Sequence, residues 1–301
     1  MRVLIVGFGY VGRSLGAKLA RQGHDVFGVR RGPADELPAA RITPLTADIT
    51  QPETLAKLPR NFDWVVNCAA SGGGSADDYR KLYLNGNRNL IAWLADAPPK
   101  KFVYTSSTSV YAQNDGSVVT EQSPAQPEAA TARVLVETEE LLLAAARDKF
   151  PAVILRVAGI YGPKRGHIFA QFLRGEARLD GDGSRFLNMI HRDDLTGVIT
   201  AALEHGVPGE IYNAVDHEPV TQKNFLEWLA ARLKRPLPPQ VAGDEEIWRK
   251  RGVTNKRVSN AKLRAALNYK FKFRDFRAGY ATEITRLKRL AALSPMRPPG
   301  D

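Results

Sequence analysis

A single cysteine, Cys68, serves a chain of 301 residues, so no internal disulfide forms and no thiolate cluster awaits a metal. Five histidines (His24, His167, His191, His205 and His217) show no H-x-x-x-H or similar spacing, and no metal site is expected. No apolar run reaches the roughly 18 residues that a membrane span needs. Carboxylates are in deficit: 32 Asp and Glu stand against 43 Lys and Arg, a net charge of +11. Such an excess favours anionic ligands. Much of it falls between Arg249 and Arg289, where a solvated basic face is expected before a nucleic-acid surface. The first strand is expected to start at residue 2 or 3, so no signal or transit peptide is expected. With the lone cysteine, that implies a reducing, cytoplasmic setting.

What the chain does have begins at once. Val3-Leu4-Ile5-Val6 suits a buried parallel strand and opens into Gly7-Phe8-Gly9-Tyr10-Val11-Gly12. Leu15 and Leu19 then follow Val11 at helical spacing, and Gly23 is placed to stop the helix. A G-x-G-x-x-G between strand and helix binds dinucleotides. Gly7 permits the tight turn, Gly9 lets the backbone approach a pyrophosphate, and Gly12 lets the helix pack against the strand. The helix start, at Tyr10 and Val11, offers unpaired N–H groups to the phosphates. Gly12-Arg13-Ser14-Leu15-Gly16 also fits G-x-S-x-G, but Ser14 lies inside the helix and not at a strand-ending turn. That match is chance.

The second strand, residues 25–29, ends in Arg30-Arg31. A carboxylate at this tip would bind the adenine ribose hydroxyls and repel a 2′-phosphate, yet residues 26–34 contain none. Two guanidinium forks stand there instead, which favours NADP over NAD. Further strands are expected at residues 41–46, 64–70, 102–105 and 152–157, with helices at about 77–95 and 132–147. Thr50 is expected to cap a short helix near Pro52. Ser106, Ser107, Thr108 and Ser109 follow the fifth strand, where open α/β sheets bind ligands. The alternation predicts an α/β fold, a doubly wound parallel sheet, with a smaller and mostly helical C-terminal lobe. Helices in that lobe are expected to start at Thr221, Ser259 and about Asp275. Residues 1–162 would form the dinucleotide-binding domain, with 187–213 returning to it and 163–301 supplying mainly the substrate lobe.

In this order the motifs resemble those of the extended short-chain dehydrogenase/reductase superfamily, which contains nucleotide-sugar epimerases and dehydratases. The likeness spans residue 2 to about 290 and rests on the glycine turn, Asp48-Ile49-Thr50, Asn67-Cys68-Ala69-Ala70, Ser106-Ser107-Thr108-Ser109-Val110-Tyr111, Leu155-Arg156-Val157-Ala158-Gly159-Ile160-Tyr161-Gly162-Pro163, Ile190-His191-Arg192-Asp193-Asp194-Leu195 and Ile211-Tyr212-Asn213. By resemblance, Asp48 and Ile49 flank the adenine, and Ala69, Ala70, Ser106 and Ala158 lie along the cofactor. Ser107 hydrogen-bonds the reacting oxygen as the catalytic hydroxyl.

The chain departs from that pattern twice. The family's Tyr-x-x-x-Lys pair, in which the lysine lowers the tyrosine pKa for proton transfer, occurs nowhere in the sequence. A glutamate usually follows that lysine by four residues. Counting back from Glu137 puts the two positions at Ala129 and Arg133, and Arg133 is expected to bind the cofactor ribose. Second, Leu187 stands where sugar-nucleotide members place an arginine to clamp a diphosphate, with Arg185 two residues early. The expectation is an NADP-dependent oxidoreductase or epimerase acting on a small polar hydroxyl or keto compound, as a monomer or homodimer without a membrane partner. Tyr161, Tyr83, His167 and Glu128 are the available acid–base types. Two alternatives are an NADP receptor without turnover and RNA binding by the ring-and-charge segment from Tyr269 to Arg277.

Overall fold

A computed structural model describes residues 1–32, 40–241 and 254–293. The end of the 26–34 stretch and the start of the 249–289 stretch lie outside those residues. Seven strands form one parallel sheet: β1 (Arg2–Val6), β2 (Asp25–Arg30), β3 (Ile42–Thr46), β4 (Trp64–Asn67), β5 (Lys101–Ser107), β6 (Ala152–Val157) and β7 (Ile211–Ala214). Their order is β7-β6-β5-β4-β1-β2-β3, so the chain reverses direction across the sheet between β1 and β4. β7 is the strand that hydrophobic pattern did not reveal: only four residues long, it pairs with β6 from Ile211 to Ala214.

Alternate residues of each strand feed opposite faces. Leu4, Val65, Phe102, Tyr104 and Ile154 pack under one pair of helices. The first of these, α3, runs through Ala76–Tyr79, a π turn at Arg80–Asn85, and Gly86–Leu94; the second is α4 (Ala130–Arg147). Val3, Ile5, Val66, Val103, Val153 and Leu155 face the other side. There they meet Leu15 and Leu19 of α1 (Tyr10–Arg21), and Leu195, Val198 and Ile199 of α6 (Arg192–His205). α2 (Pro52–Leu55) is short, and Gln51, not Thr50, takes its N-cap position. The Thr50 hydroxyl instead donates to Asp48 Oδ1 at 2.9 Å.

A third core lies beyond the strand tips. Phe169 and Phe172 of α5 (His167–Arg174), Phe225, Leu226 and Leu229 of α7 (Gln222–Leu233), and Phe276, Tyr280 and Ile284 of α9 (Phe276–Leu293) fill it. Thr221 caps α7, its hydroxyl accepting from Asn224 N at 3.2 Å. Asn260, not Ser259, is the N-cap of α8 (Ala261–Leu267), whose Leu263 and Leu267 pack on the sheet's second face.

Rings of the Tyr269–Arg277 segment are packed: Phe273 and Phe276 are buried, and Phe271 sits edge-on to Tyr269 and His217. Asp194, at the start of α6, fastens this segment by accepting from Tyr269 Oη (2.9 Å), Lys272 N (2.7 Å) and Phe273 N (2.9 Å). Asn213 of β7 accepts from Tyr111 Oη (2.8 Å) and donates to Ser259 O (3.1 Å). Both motif residues tie the lobe to the sheet.

Candidate active site

The ends of the parallel strands open onto a cavity of about 930 Å³, towards the upper end of small-molecule sites at about 300–1,000 Å³. It sits over the β1/β4 reversal, where α/β sheets bind ligands. Gly7 holds φ +84°, and a Cβ there would stand 2.4 Å from Ala69 N. A Cβ on Gly12 would come within 2.5 Å of Gly7 O, so this glycine lets α1 lie against the turn. Around Gly9 the only near atom is Gly7 O at 4.0 Å, which leaves its cavity side open. Gly9 caps α1 without any side-chain hydrogen bond. The first-turn N–H groups, including those of Tyr10 and Val11, have no partner within the helix and border the cavity. These residues fit a pyrophosphate, the backbone cradle being shaped by Gly7 and Gly12, where a Cβ would clash, and left open at Gly9.

Gly7 N and Phe8 N both donate to Val29 O, at 3.1 and 2.9 Å, which brings the turn beside the tip of β2. Arg30 and Arg31 therefore line the same cavity, and Arg13 joins them from the first turns of α1. Asp48, Ile49, Ala69, Ala70 and Ala158 line it too. Asp48 Oδ1 accepts from Thr50 N at 2.9 Å, which fixes that turn.

At the other end, Ser107 lines the cavity and its Oγ accepts from Ser109 N at 3.2 Å. Ser106 lines it as well, its hydroxyl donating inward to Glu139 Oε1 at 2.5 Å. Arg133, expected at the cofactor ribose, stands away from the cavity. It is exposed on α4, and its guanidinium donates to Glu128 O. The cavity-lining residue of α4 is Leu135, two positions and about 200° further round the helix. Glu137 pairs with Arg80 at the surface, whereas Glu139 is the buried glutamate, joined to Arg156 at 2.7 Å. Counted from Glu139, the two helical positions are Thr131 and Leu135.

Of the other acid–base types, Tyr161 borders the cavity but stacks on Tyr280 (4.3 Å, 16°), and burial raises its pKa far above the ordinary phenol value. Tyr83 Oη accepts from Ser71 N at 3.0 Å. His167 borders the cavity, exposed in the first turn of α5; Glu128 does not border it. His191 caps α6, its Nδ1 accepting from Asp193 N at 3.1 Å, and burial holds its pKa down at about 4. The Cys68 thiol is pushed up to about 12 by the surrounding protein, so it is no nucleophile.

Lys256 is the unforeseen group. It lines the cavity although only 3% exposed, and its Nζ donates to Tyr111 O (2.9 Å) and Thr254 Oγ1 (2.6 Å). Burial lowers its pKa from 10.5 to about 8. The unfolded chain keeps the ordinary value, so between these two pH values it holds a proton that the folded protein has released. Stability is therefore lowest below pH 8 and rises as pH climbs through that window, by on the order of 3 kcal/mol from this group. Buried tyrosines such as Tyr269, whose pKa is raised, oppose this only once the unfolded chain ionises above about pH 10. Between pH 8 and pH 10 this group alone should add about 2 kcal/mol, and the tyrosines act alike on both proteins, so urea unfolding should show the stability of wild type rising by about that much relative to Lys256→Met; equal changes in the two proteins would refute the shift.

A profile described as the NAD dependent epimerase/dehydratase family matches residues 3–214. The chain belongs to that family. Among curated relatives of this family member, Protein YeeZ of Escherichia coli (strain K12) is 29% identical over 273 residues, covering 86% of this chain and 93% of that protein. A 2-alkyl-3-oxoalkanoate reductase of Shewanella oneidensis is 27% identical, covering 74% of this chain and 63% of its own length. A solved structure of a putative NAD-dependent epimerase/dehydratase from Methylobacillus flagellatus superposes with a TM-score of 0.78 at 32% identity, covering 95% and 98% of the two chains. DesIV from Streptomyces venezuelae, a dTDP-glucose 4,6-dehydratase with NAD and TYD bound, shares the fold with a TM-score of 0.83 at 22% identity, covering 98% and 99%.

For this epimerase/dehydratase-family chain, the Gly7–Gly12 turn and Arg185 stand out in the sequence, whereas Arg13, Arg165 and Lys256 do not, and all of them line the cavity. Lys256 lies inside the basic stretch expected to be solvated surface, and no spacing marks it as buried. Arg165 lies over the Tyr10 ring at 5.0 Å, and Arg185 reaches Asp180 at 3.4 Å.

Proposed function

We propose that this chain is an NADP-dependent oxidoreductase or epimerase/dehydratase-like enzyme acting on a small polar hydroxyl or keto compound and not on a nucleotide sugar. The observation that carries the cofactor preference is that Arg13, Arg30 and Arg31 all line the cavity that the glycine turn borders. Three guanidinium groups suit a ribose 2′-phosphate, and a carboxylate suited to a free 2′-hydroxyl is missing from the β2 tip among the described residues. When bound, the nicotinamide supplies or accepts a hydride. The chain would hold the pyrophosphate on the Gly7–Gly12 turn, flank the adenine with Asp48 and Ile49, and orient the substrate oxygen with Ser107.

Carbonyl chemistry is supported by relatives whose names are those of a 2-alkyl-3-oxoalkanoate reductase and of a dihydroquinoline-oxide ketoreductase. Leu187 in place of a diphosphate-clamping arginine argues against a nucleotide sugar. The catalytic set is incomplete by the family pattern, because Thr131 and Leu135 carry neither a phenol nor an amine. That gap favours one other reading, a folded NADP receptor that does not turn over. The lone cysteine suits a reducing cytoplasm.

NADPH oxidation is to be followed with acetoacetate, ethyl acetoacetate and dihydroxyacetone, beside NADPH affinity from nicotinamide fluorescence. Turnover of at least one ketone supports an enzyme. Micromolar NADPH binding with no turnover supports the receptor instead.

A further inference from the structure

We propose that Lys256, entering the cavity from the C-terminal lobe, is the catalytic residue that gives a proton to, and takes it from, the substrate oxygen. The proposal rests on the enzyme reading above. The α4 face that borders the cavity presents Leu135, so the helix offers no proton there. Lys256 comes from elsewhere to the same end of the site. Its Nζ is bonded to the carbonyl of Tyr111, the residue that closes the Thr108–Val110 turn directly after Ser107. Its main chain is held on both sides. Asn188, itself a cavity residue, donates to Lys256 O (2.9 Å) and accepts from Val258 N (2.8 Å), while Arg257–Val258 pairs with Val118–Val119.

Both acceptors of this ammonium are neutral, a carbonyl and a hydroxyl. The charged groups on neighbouring elements are turned to other partners. Arg156, behind the Tyr111 ring, is paired with Glu139; Glu121 accepts from Asn213 N; Arg257 donates to Gly116 O; and Arg185 meets Asp180. Among the described residues no carboxylate pairs with this buried ammonium, and an ammonium so placed releases its proton readily, as a general acid must. In reduction, the carbonyl carbon accepts hydride from NADPH as the oxygen takes the Nζ proton. The C=O π bond breaks, C–H and O–H bonds form, and the neutral amine regains a proton from solvent. Oxidation of an alcohol runs the same exchange backwards.

Arginine at this position keeps the positive charge but cannot give up its proton. With any panel ketone that wild type reduces, Lys256→Arg and Lys256→Gln should both lower kcat by at least ~10²-fold, with KM changed less than threefold. NADPH fluorescence titration should return wild-type affinity for both variants, which also reports that they fold. Wild-type kcat for reduction should fall as pH rises through about 8, and that limb should be absent in Lys256→Arg. Independently of turnover, a lysine 13Cε NMR signal missing from Lys256→Arg should titrate near that pH. Wild-type turnover with an active Lys256→Arg would overturn the proposal alone, leaving the enzyme reading intact. A signal still protonated at pH 10 would also overturn it. No turnover of any ketone by wild type would remove the enzyme reading and this proposal together.

Discussion

Glu139→Ala should destabilise the protein by about 3–5 kcal/mol, the usual consequence of stripping one partner from a buried ion pair. Glu139 on α4 and Arg156 on β6 are 3% and 6% exposed in their side chains. The carboxylate accepts from Arg156 Nε and Nη2 and from the Ser106 hydroxyl, while the guanidinium lies 4.8 Å from the centre of the Tyr111 ring. Removing it leaves a cation sealed between sheet and helix and a hydroxyl without its acceptor. Glu137→Ala is the internal control. Glu137 holds Arg80 at 2.6 Å, as short a contact, but about 40% of each side chain is in water. An exposed pair of that kind is screened by water and contributes little, so Glu137→Ala should leave stability close to that of wild type. Urea unfolding should therefore separate two glutamates that stand two residues apart on one helix. Similar losses for both would contradict the burial argument.

Replacing Arg30 and Arg31 together by alanine should weaken NADPH binding roughly 10²-fold while leaving NADH within about threefold. Each arginine would donate a charge-assisted hydrogen bond to the 2′-phosphate, worth ~1.5 kcal/mol at the low end for groups that keep contact with water. Two such bonds amount to about 3 kcal/mol, or two decades in affinity. Only the phosphate differs between the two cofactors, so contacts to the pyrophosphate and nicotinamide cancel in the comparison. Fluorescence titration of both reduced cofactors against both proteins is the measurement. Equal weakening for NADPH and NADH would show that the arginines bind something common to the two molecules.

The glycine turn was legible because strand, turn and helix follow one another within twenty residues and each glycine has a separate steric task. The sheet was legible because its inner strands, such as β1, β4 and β6, are buried on both faces and read as apolar runs. α4 was harder. Glu137 and Glu139 look alike in sequence, and a helix turns about 200° between them, so choosing the surface glutamate carried the alignment to Arg133 and away from Leu135. Lys256 carries no local signal: its burial is created by Tyr111, Thr254 and Asn188, two of them far away along the chain. Strand β7 was faint because Ile211-Tyr212-Asn213-Ala214 sets polar Tyr212 and Asn213 where β4 begins with the apolar Trp64-Val65-Val66.

Calorimetric titration of the wild-type protein with NADP+ and with NAD+, at one pH and salt concentration, tests the central claim most directly. The account predicts a single site for each dinucleotide, with NADP+ bound at least tenfold more tightly. No heat with either cofactor, or a tighter site for NAD+, would contradict it.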